Sequence, residues 1–353
     1  MRAVNVTSIL ATAGLVADLV VLPGGQVSLP GPAGFYIPVW VLLLYPGWAV
    51  VAATTTLFRP AFNASLPRLV RPSDLPTANG AVYAVAATVS AGVSVAVGGV
   101  LTFTAPAYAL SVAFALFFGT QVALLLVRVD LSVSPHGPRR SVLKEATDGY
   151  RYLVRRRGLL EITLAALVVN FLSAVALVEL ALYVASWLNL TQGIWYGAMT
   201  GSSTAGVAVG FVLAPRFRFE PRAGRAIILL MLAMGLALLA LGLVRSIWFA
   251  LPIIFIYGLM PGMIMTIFLS TIQATVPDEM MGRVFSADEV GSQALIPVGQ
   301  YTGGVLTLAV GVQGTYLSAG GAIIVFGIFM VGAFGSLRRL GYRPAEPASS
   351  STE

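Results

Sequence analysis

The chain has 353 residues, 58% of them hydrophobic and only 10% charged, with a mean hydropathy of +0.88 and a formal net charge of +7. A soluble domain carries about 25% charged residues, so this surface suits lipid; the basic excess lies between apolar stretches with no groove-reading motif, which excludes a nucleic-acid binder. There is no cysteine and one histidine, His136 in a Ser-Pro-His-Gly-Pro loop, so disulfides, thiolate chemistry, haem and structural zinc are excluded, and no metal or cofactor is expected.

In chain order, the apolar stretches predict ten membrane spans at 4–23, 35–57, 80–102, 105–127, 159–182, 191–214, 226–244, 247–271, 289–310 and 315–337. About 20 residues of helix cross a hydrocarbon core of roughly 30 Å. A helix also satisfies its own backbone, which lipid cannot do. All the basic residues but Arg245 fall before the first span, in 58–79, 128–158, 215–225 and 272–288, or in the tail. That asymmetry predicts a plasma-membrane protein with both termini in the cytoplasm. The first apolar run is too long for a signal-peptide core and no small-x-small site follows it, so it is read as a span.

An internal repeat is legible. Val70-Arg71-Pro72-Ser73-Asp74 and Val276-Pro277-Asp278-Glu279 are both inside turns. Each is followed, 26 residues after its proline, by the same tetrapeptide: Gly98-Gly99-Val100-Leu101 in one copy and Gly303-Gly304-Val305-Leu306 in the other. Both copies enter a span from the same side, so the repeat is parallel. Spans one to four then pair with seven to ten, and five and six have no partner. Two further helices before Met1 would complete a pair of six-helix halves. The expected organisation is an incomplete four-helix bundle (1–128), a basic cytoplasmic linker (129–158), a six-helix bundle (159–340) and a disordered tail (341–353).

That architecture resembles the major facilitator superfamily, and three local segments carry the likeness. Arg59-Pro60-Ala61-Phe62-Asn63-Ala64-Ser65-Leu66-Pro67-Arg68-Leu69-Val70, followed by Asp74-Leu75 and Ala78-Asn79, is similar to the fourth-to-fifth helix loop of the macrolide-efflux and enterobactin-exporter type. Val142-Leu143-Lys144-Glu145 with Gly149-Tyr150-Arg151-Tyr152-Leu153 resembles that group's amphipathic linker helix. Val276-Pro277-Asp278-Glu279 with Gly282-Arg283-Val284-Phe285-Ser286 resembles its tenth-to-eleventh helix loop. The likeness implies an all-α, polytopic exporter of drugs or other amphipathic small molecules. It also implies alternating access coupled to an ion, expected to be the proton, and a monomer in the bilayer. The alternatives are an uptake permease of the same fold and a truncated paralogue or partner subunit without transport. The chain departs from the pattern in two places. The second-to-third helix loop is absent, through a start assigned too late or a real truncation. The fifth-helix glycine–proline motif is reduced to Ser90, Ser94-Val95 and Gly98-Gly99.

No catalytic constellation is visible, so an enzyme is not expected. Polar groups within the spans are the functional candidates. Glu179, toward the outer end of span five, is a proton or cation site or else an interfacial carboxylate reaching water. Asn170 and Gln300, near mid-membrane, bind substrate or bond neighbouring helices. Met260 and Met263, around Pro261-Gly262, form an adaptable apolar surface or ordinary packing. Asp18 reads as interfacial, and Asp288 and Glu289 read as favourable charges at the start of span nine. Pro67, Asp74, Asn79, Pro277, Asp278, Gly282 and Arg283 are the candidate cytoplasmic-loop motif residues. Gly197/Gly201 and Gly206/Gly210 on span six permit close helix approach.

Overall fold

The computed structural model describes residues 28–30, 36–38, 63, 66–68, 70–71, 74–103, 142–217 and 222–339. Span one, span four and all but the start of span two lie outside the described residues, as do Asp18, His136 and the tail. Two compact units are formed by the chain: Met1–Phe62 with Val100–Pro138, and Asn63–Gly99 with Arg139–Glu353. In the first, β1 (Ser28–Pro30) and β2 (Tyr36–Pro38) pair antiparallel, with Leu29 opposite Ile37. Tyr36–Pro38 was expected to open span two. It is extended instead, because Pro38 lacks an N–H and Tyr36 and Ile37 favour strands.

The second unit is helical. Its elements are α1 (Leu75–Phe103), α2 (Val142–Arg155), α3 (Arg157–Leu177), α4 (Leu180–Leu182) running into a π-helical turn (Tyr183–Trp187), α5 (Gly193–Leu213), α6 (Ala223–Leu243), α7 (Ile247–Thr275), α8 (Asp278–Ala333) and α9 (Gly335–Arg339). Among the described residues, six helices are long and apolar enough to cross a membrane. On α6 the lipid-facing stripe is explicit: Leu229, Leu236 and Leu243, seven residues apart, are exposed, while Ile227, Met231, Met234, Leu238 and Leu241 are buried. A helix that bares leucine on one face and packs on the other is at home only in an apolar solvent.

Helix α8 covers both spans nine and ten and begins earlier than expected. Pro277 is its N-cap, and Asp278 and Glu279 occupy its first turn, where negative charge is favoured. No loop separates the two spans; a single residue does. Gly311 has φ +74° and ψ 170°, a backbone state open to glycine. The chain folds back there: Thr307 and Thr315 hydroxyls lie 2.8 Å apart, whereas eight residues of straight helix would separate them by about 12 Å.

Glycines set the helix contacts. Helix α5 lies between α1 and α7. On one face Gly197 meets Gly98, and a Cβ on Gly197 would come within 2.7 Å of the Ser94 carbonyl oxygen. On the other, a Cβ at Gly206 or Gly210 would collide with the carbonyls of Phe255 or Leu259, and Gly258 and Gly262 reciprocate against Ser203 and Val207. Close backbone approach of this kind replaces the hydrophobic driving force that lipid does not supply.

The two ends of this unit are distinct. At one, Gly149 of α2 rests on the Arg283 backbone, Asp148 is 3.8 Å from Arg283, Gly224 meets Leu337, and Glu161 accepts a hydrogen bond from the Leu337 N–H. At the other, Trp187 Nε1 donates to the Val244 carbonyl (2.8 Å), and the Arg245 guanidinium lies 4.3 Å from the Trp187 ring centre. The described segments expected to face the cytoplasm thus share one end, and Arg245 stands at the other.

Candidate functional site

Glu179 sits where a long apolar helix loses regularity. α3 ends at Leu177, and Glu179 (φ −84°, ψ 3°) precedes α4 and the π-helical turn. Such interruptions recur at functional sites. Glu179 is 4% exposed. A Cβ built on Gly304 of α8 would stand 4.0 Å from Glu179 Oε1, which places the carboxyl against that glycine. Three buried tyrosines gather nearby. Tyr316 of α8 is within electrostatic reach of Glu179, Tyr183, Tyr257 and Tyr196. Its ring packs on Tyr183 with centroids 4.9 Å apart. Tyr183 is satisfied, donating to the Leu241 carbonyl at 2.9 Å and reaching that of Val244 at 3.3 Å.

A second polar cluster lies at the other end of the unit. Asn79 of α1, fully buried, donates from Nδ2 to Gln273 Oε1 of α7 at 2.6 Å and to Ser270 Oγ at 3.3 Å. Gln273 Nε2 donates to the Asn63 carbonyl at 3.0 Å, and the Tyr83 hydroxyl bonds the Asn63 side-chain oxygen. Neutral amides can make such bonds in low dielectric without a charge to desolvate. The cluster joins helices nearly two hundred residues apart in sequence. Asn79 had been singled out as a loop-motif residue, and Asn63 belongs to the same loop motif; Ser270 and Gln273 were detectable as polar residues three apart on the last turns of a largely apolar helix.

The other candidates divide. Asn170 is half-buried and Gln300 exposed. The contact of Gly299 with Phe171 sets their helices at the same level. Met263 is buried where α7 meets Gly210 of α5, and Met260 is half-buried against the core. Pro67 lies in a short 3-10 turn (Leu66–Arg68), and Asp74 N–H bonds the Arg71 carbonyl ahead of α1. Pro277 and Asp278 open α8, Gly282 is open to space, and Arg283 joins Asp148 of the linker helix. Asp288 and Glu289 lie half-buried along α8 rather than at its start. Glu161, near the start of α3, accepts a hydrogen bond from the Leu337 N–H in α9. No group of three or more metal-ligating side chains occurs among the described residues.

Comparisons with known proteins agree on the kind of molecule. The family model MFS_3, described as transmembrane secretion effector, matches residues 31–342. The uncharacterized MFS-type transporter YvqJ of Bacillus subtilis (strain 168) is 25% identical over 304 residues, covering 84% of this chain and 70% of that protein. Two crystal structures of a bacterial homologue of the iron transporter ferroportin in its outward-facing state, one with soaked iron, superpose with a TM-score of 0.61 each. They are 14% and 16% identical, covering 93% and 94% of this chain and 82% and 81% of theirs, a likeness of fold alone.

Proposed function

The chain belongs to the transmembrane secretion effector family of the major facilitator superfamily, which makes it a multi-pass membrane transporter and not an enzyme, and we propose that it exports amphipathic small molecules by proton-coupled alternating access. One observation carries the coupling: Glu179 is an acid buried among apolar helices, at an irregular turn, with no basic partner among the described residues. A charge at the centre of a span costs about 2.5–3.5 kcal/mol on insertion scales. A group that gains and loses a proton pays that penalty for only part of a cycle, which suits a carrier. The family's description as secretion effectors supports the outward direction. In this reading Asn170, Gln300, Met260 and Met263 contact the substrate, and the Asn79–Gln273 cluster holds the cytoplasmic end closed. The protein acts as a monomer in the plasma membrane with cytoplasmic termini.

The test is transport of ethidium, a cationic amphipathic probe, and of an uncharged dye in an efflux-deficient host and in proteoliposomes. Glu179→Gln keeps the side chain's size and removes its titration. It is expected to insert normally and to lower gradient-driven export about tenfold or more, the scale of 1.4 kcal/mol. Unchanged export of both probes across near-neutral pH sinks the coupling role. Inward accumulation reverses the direction.

A further inference from the structure

We infer that the linker helix α2 carries on its exposed face a binding surface for the headgroups of acidic phospholipids, built from Arg151, Arg155, Arg156 and Arg157 beside Tyr150 and Val154.

The helix has two faces of different chemistry. At about 100° per residue, Gly149 and Leu153 share one side. Both are buried, and a Cβ on Gly149 would collide with the Arg283 carbonyl near the start of α8. Half-buried Asp148 flanks that contact, 3.8 Å from the Arg283 guanidinium. On the opposite side, Tyr150 with Val154 and Arg151 with Arg155 form two neighbouring pairs four residues apart, all exposed. Tyr150 is 62% exposed and Val154 47%. The apolar pair occupies one edge of this face and the arginines the other. That is the composition of a helix lying in the plane of a membrane interface, its apolar edge in the acyl boundary and its cations at the level of the headgroups.

The chain places α2 at that level. Arg156, with φ −106° and ψ 89°, bends the chain between α2 and α3, and the membrane-crossing helix begins at the next residue, Arg157. The buried side of α2 rests on the first turns of α8, the other apolar helix it packs against. The helix is thus held where two spans reach the membrane surface. Charge selects the occupant. From Thr147 to Arg157 there are four arginines and one acid, and that acid, Asp148, already faces Arg283. Arg155, Arg156 and Arg157 are consecutive and exposed at the bend. The Arg156 guanidinium lies over the Tyr152 ring, 5.8 Å from its centre, which holds it at that corner. A phosphodiester offers the acceptor oxygens that guanidinium groups bind in pairs. A zwitterionic lipid also brings its own ammonium, so the surplus of positive charge favours headgroups of net negative charge. Adsorption of this face is passed to the base of α8 through the Gly149 and Asp148 contacts.

The cysteine-free chain permits a direct test. Val154→Cys carries an environment-sensitive fluorophore in the full chain, reconstituted in nanodiscs of phosphatidylcholine alone or mixed with phosphatidylglycerol. Phosphatidylglycerol is expected to shift the emission to the blue, and brominated acyl chains to quench it, both effects receding as salt is raised. The double change Arg151→Gln and Arg155→Gln is expected to weaken the response, since each arginine near an anionic surface is worth about fivefold in binding. Lysine at the same two positions should keep it, because the charge is retained. These side chains are exposed, so the variants should insert normally. The label adds apolar surface of its own, so the unlabelled protein gives a second readout: lipid retained in detergent, counted by native mass spectrometry. Its preference for phosphatidylglycerol over phosphatidylcholine should fall about tenfold or more in the glutamine pair. Equal emission and equal retention in the two lipids overturn the surface. Retention indifferent to the arginines overturns it even where the emission responds to phosphatidylglycerol. Shielding of position 154 in native membrane vesicles but not in phosphatidylglycerol nanodiscs gives the face to an acidic protein or a second copy of this chain, and likewise overturns it.

Discussion

The two Gly-Gly-Val-Leu copies occupy matching positions on α1 and α8, yet their surroundings differ in chemistry. In each, the first glycine is consumed by a helix contact: Gly98 against the backbone of Gly197, Gly303 against that of Val175. The second glycine faces a side chain. For Gly99 it is the terminal methyl of Ile194 at 3.8 Å, and for Gly304 it is the carboxyl oxygen of Glu179 at 4.0 Å. A repeat in sequence thus keeps a backbone contact in both copies, while a carboxyl lies beside only one. The polar groups on the α1 side lie instead near its start, where Asn79 bonds α7 through neutral amides. One half of the repeat is tied at its start, and the other lies against the carboxyl of Glu179.

Three sets of substitutions strain this comparison, in descending order of effect. Gly98→Leu and Gly303→Leu should be equally damaging, because each drives a side chain into a neighbouring backbone; loss of membrane-inserted, detergent-stable protein is expected for both, and a tolerated change at either would mean that the two contacts are not equivalent. Asn79→Ala should cost about 1–3 kcal/mol of the bonds joining α1 to α7. It should raise labelling of cysteines introduced near Gln273 from the cytoplasmic side while leaving the pH dependence of export unaltered. A shifted pH profile in this variant would blur the division between the two ends. The finest test is Gly99→Ala against Gly304→Ala. Both added methyls meet only ordinary van der Waals contact, so both proteins should fold. Only Gly304→Ala should reduce export, by a few-fold, since only it sets an apolar methyl against a carboxyl. Equal activity of the two would leave Gly304 without a role beside Glu179.

Much of the helical framework was legible in the sequence, since spans of apolar residues bounded by arginine leave little freedom once lipid is the solvent. Spans three and five to eight coincide with α1, α3 with its π-helical extension, α5, α6 and α7 within a few residues. The glycine pairs of span six were readable as contact surfaces because only backbone approach explains small residues four apart in lipid. The start of α8 was not, because Val276-Pro277-Asp278-Glu279 is equally a turn and a helix opening, and the choice depends on α2 packing against Arg283. Glu179 stood out as an isolated acid, but the glycine that lies against it, Gly304, did not stand out as its neighbour. Tyr316 looks like an ordinary apolar-face aromatic until the fold packs its ring on Tyr183. The pairing of Gln273 with Asn63 was hidden for a similar reason, as the bond between them spans 210 positions.

Gly311 determines to which end of the bundle the last described helix returns. As uninterrupted helix, the 56 residues of α8 would form a rod of about 84 Å, nearly three times a hydrocarbon core of about 30 Å. A single backbone angle turns that rod into a there-and-back pair of crossings, and the last turn of helix returns to Glu161, near the level from which α8 set out. The number of crossings is thus counted by one residue with no side chain. Any substitution that straightened it would turn the end of α8 away from Glu161 and change the parity of the crossings among the described residues.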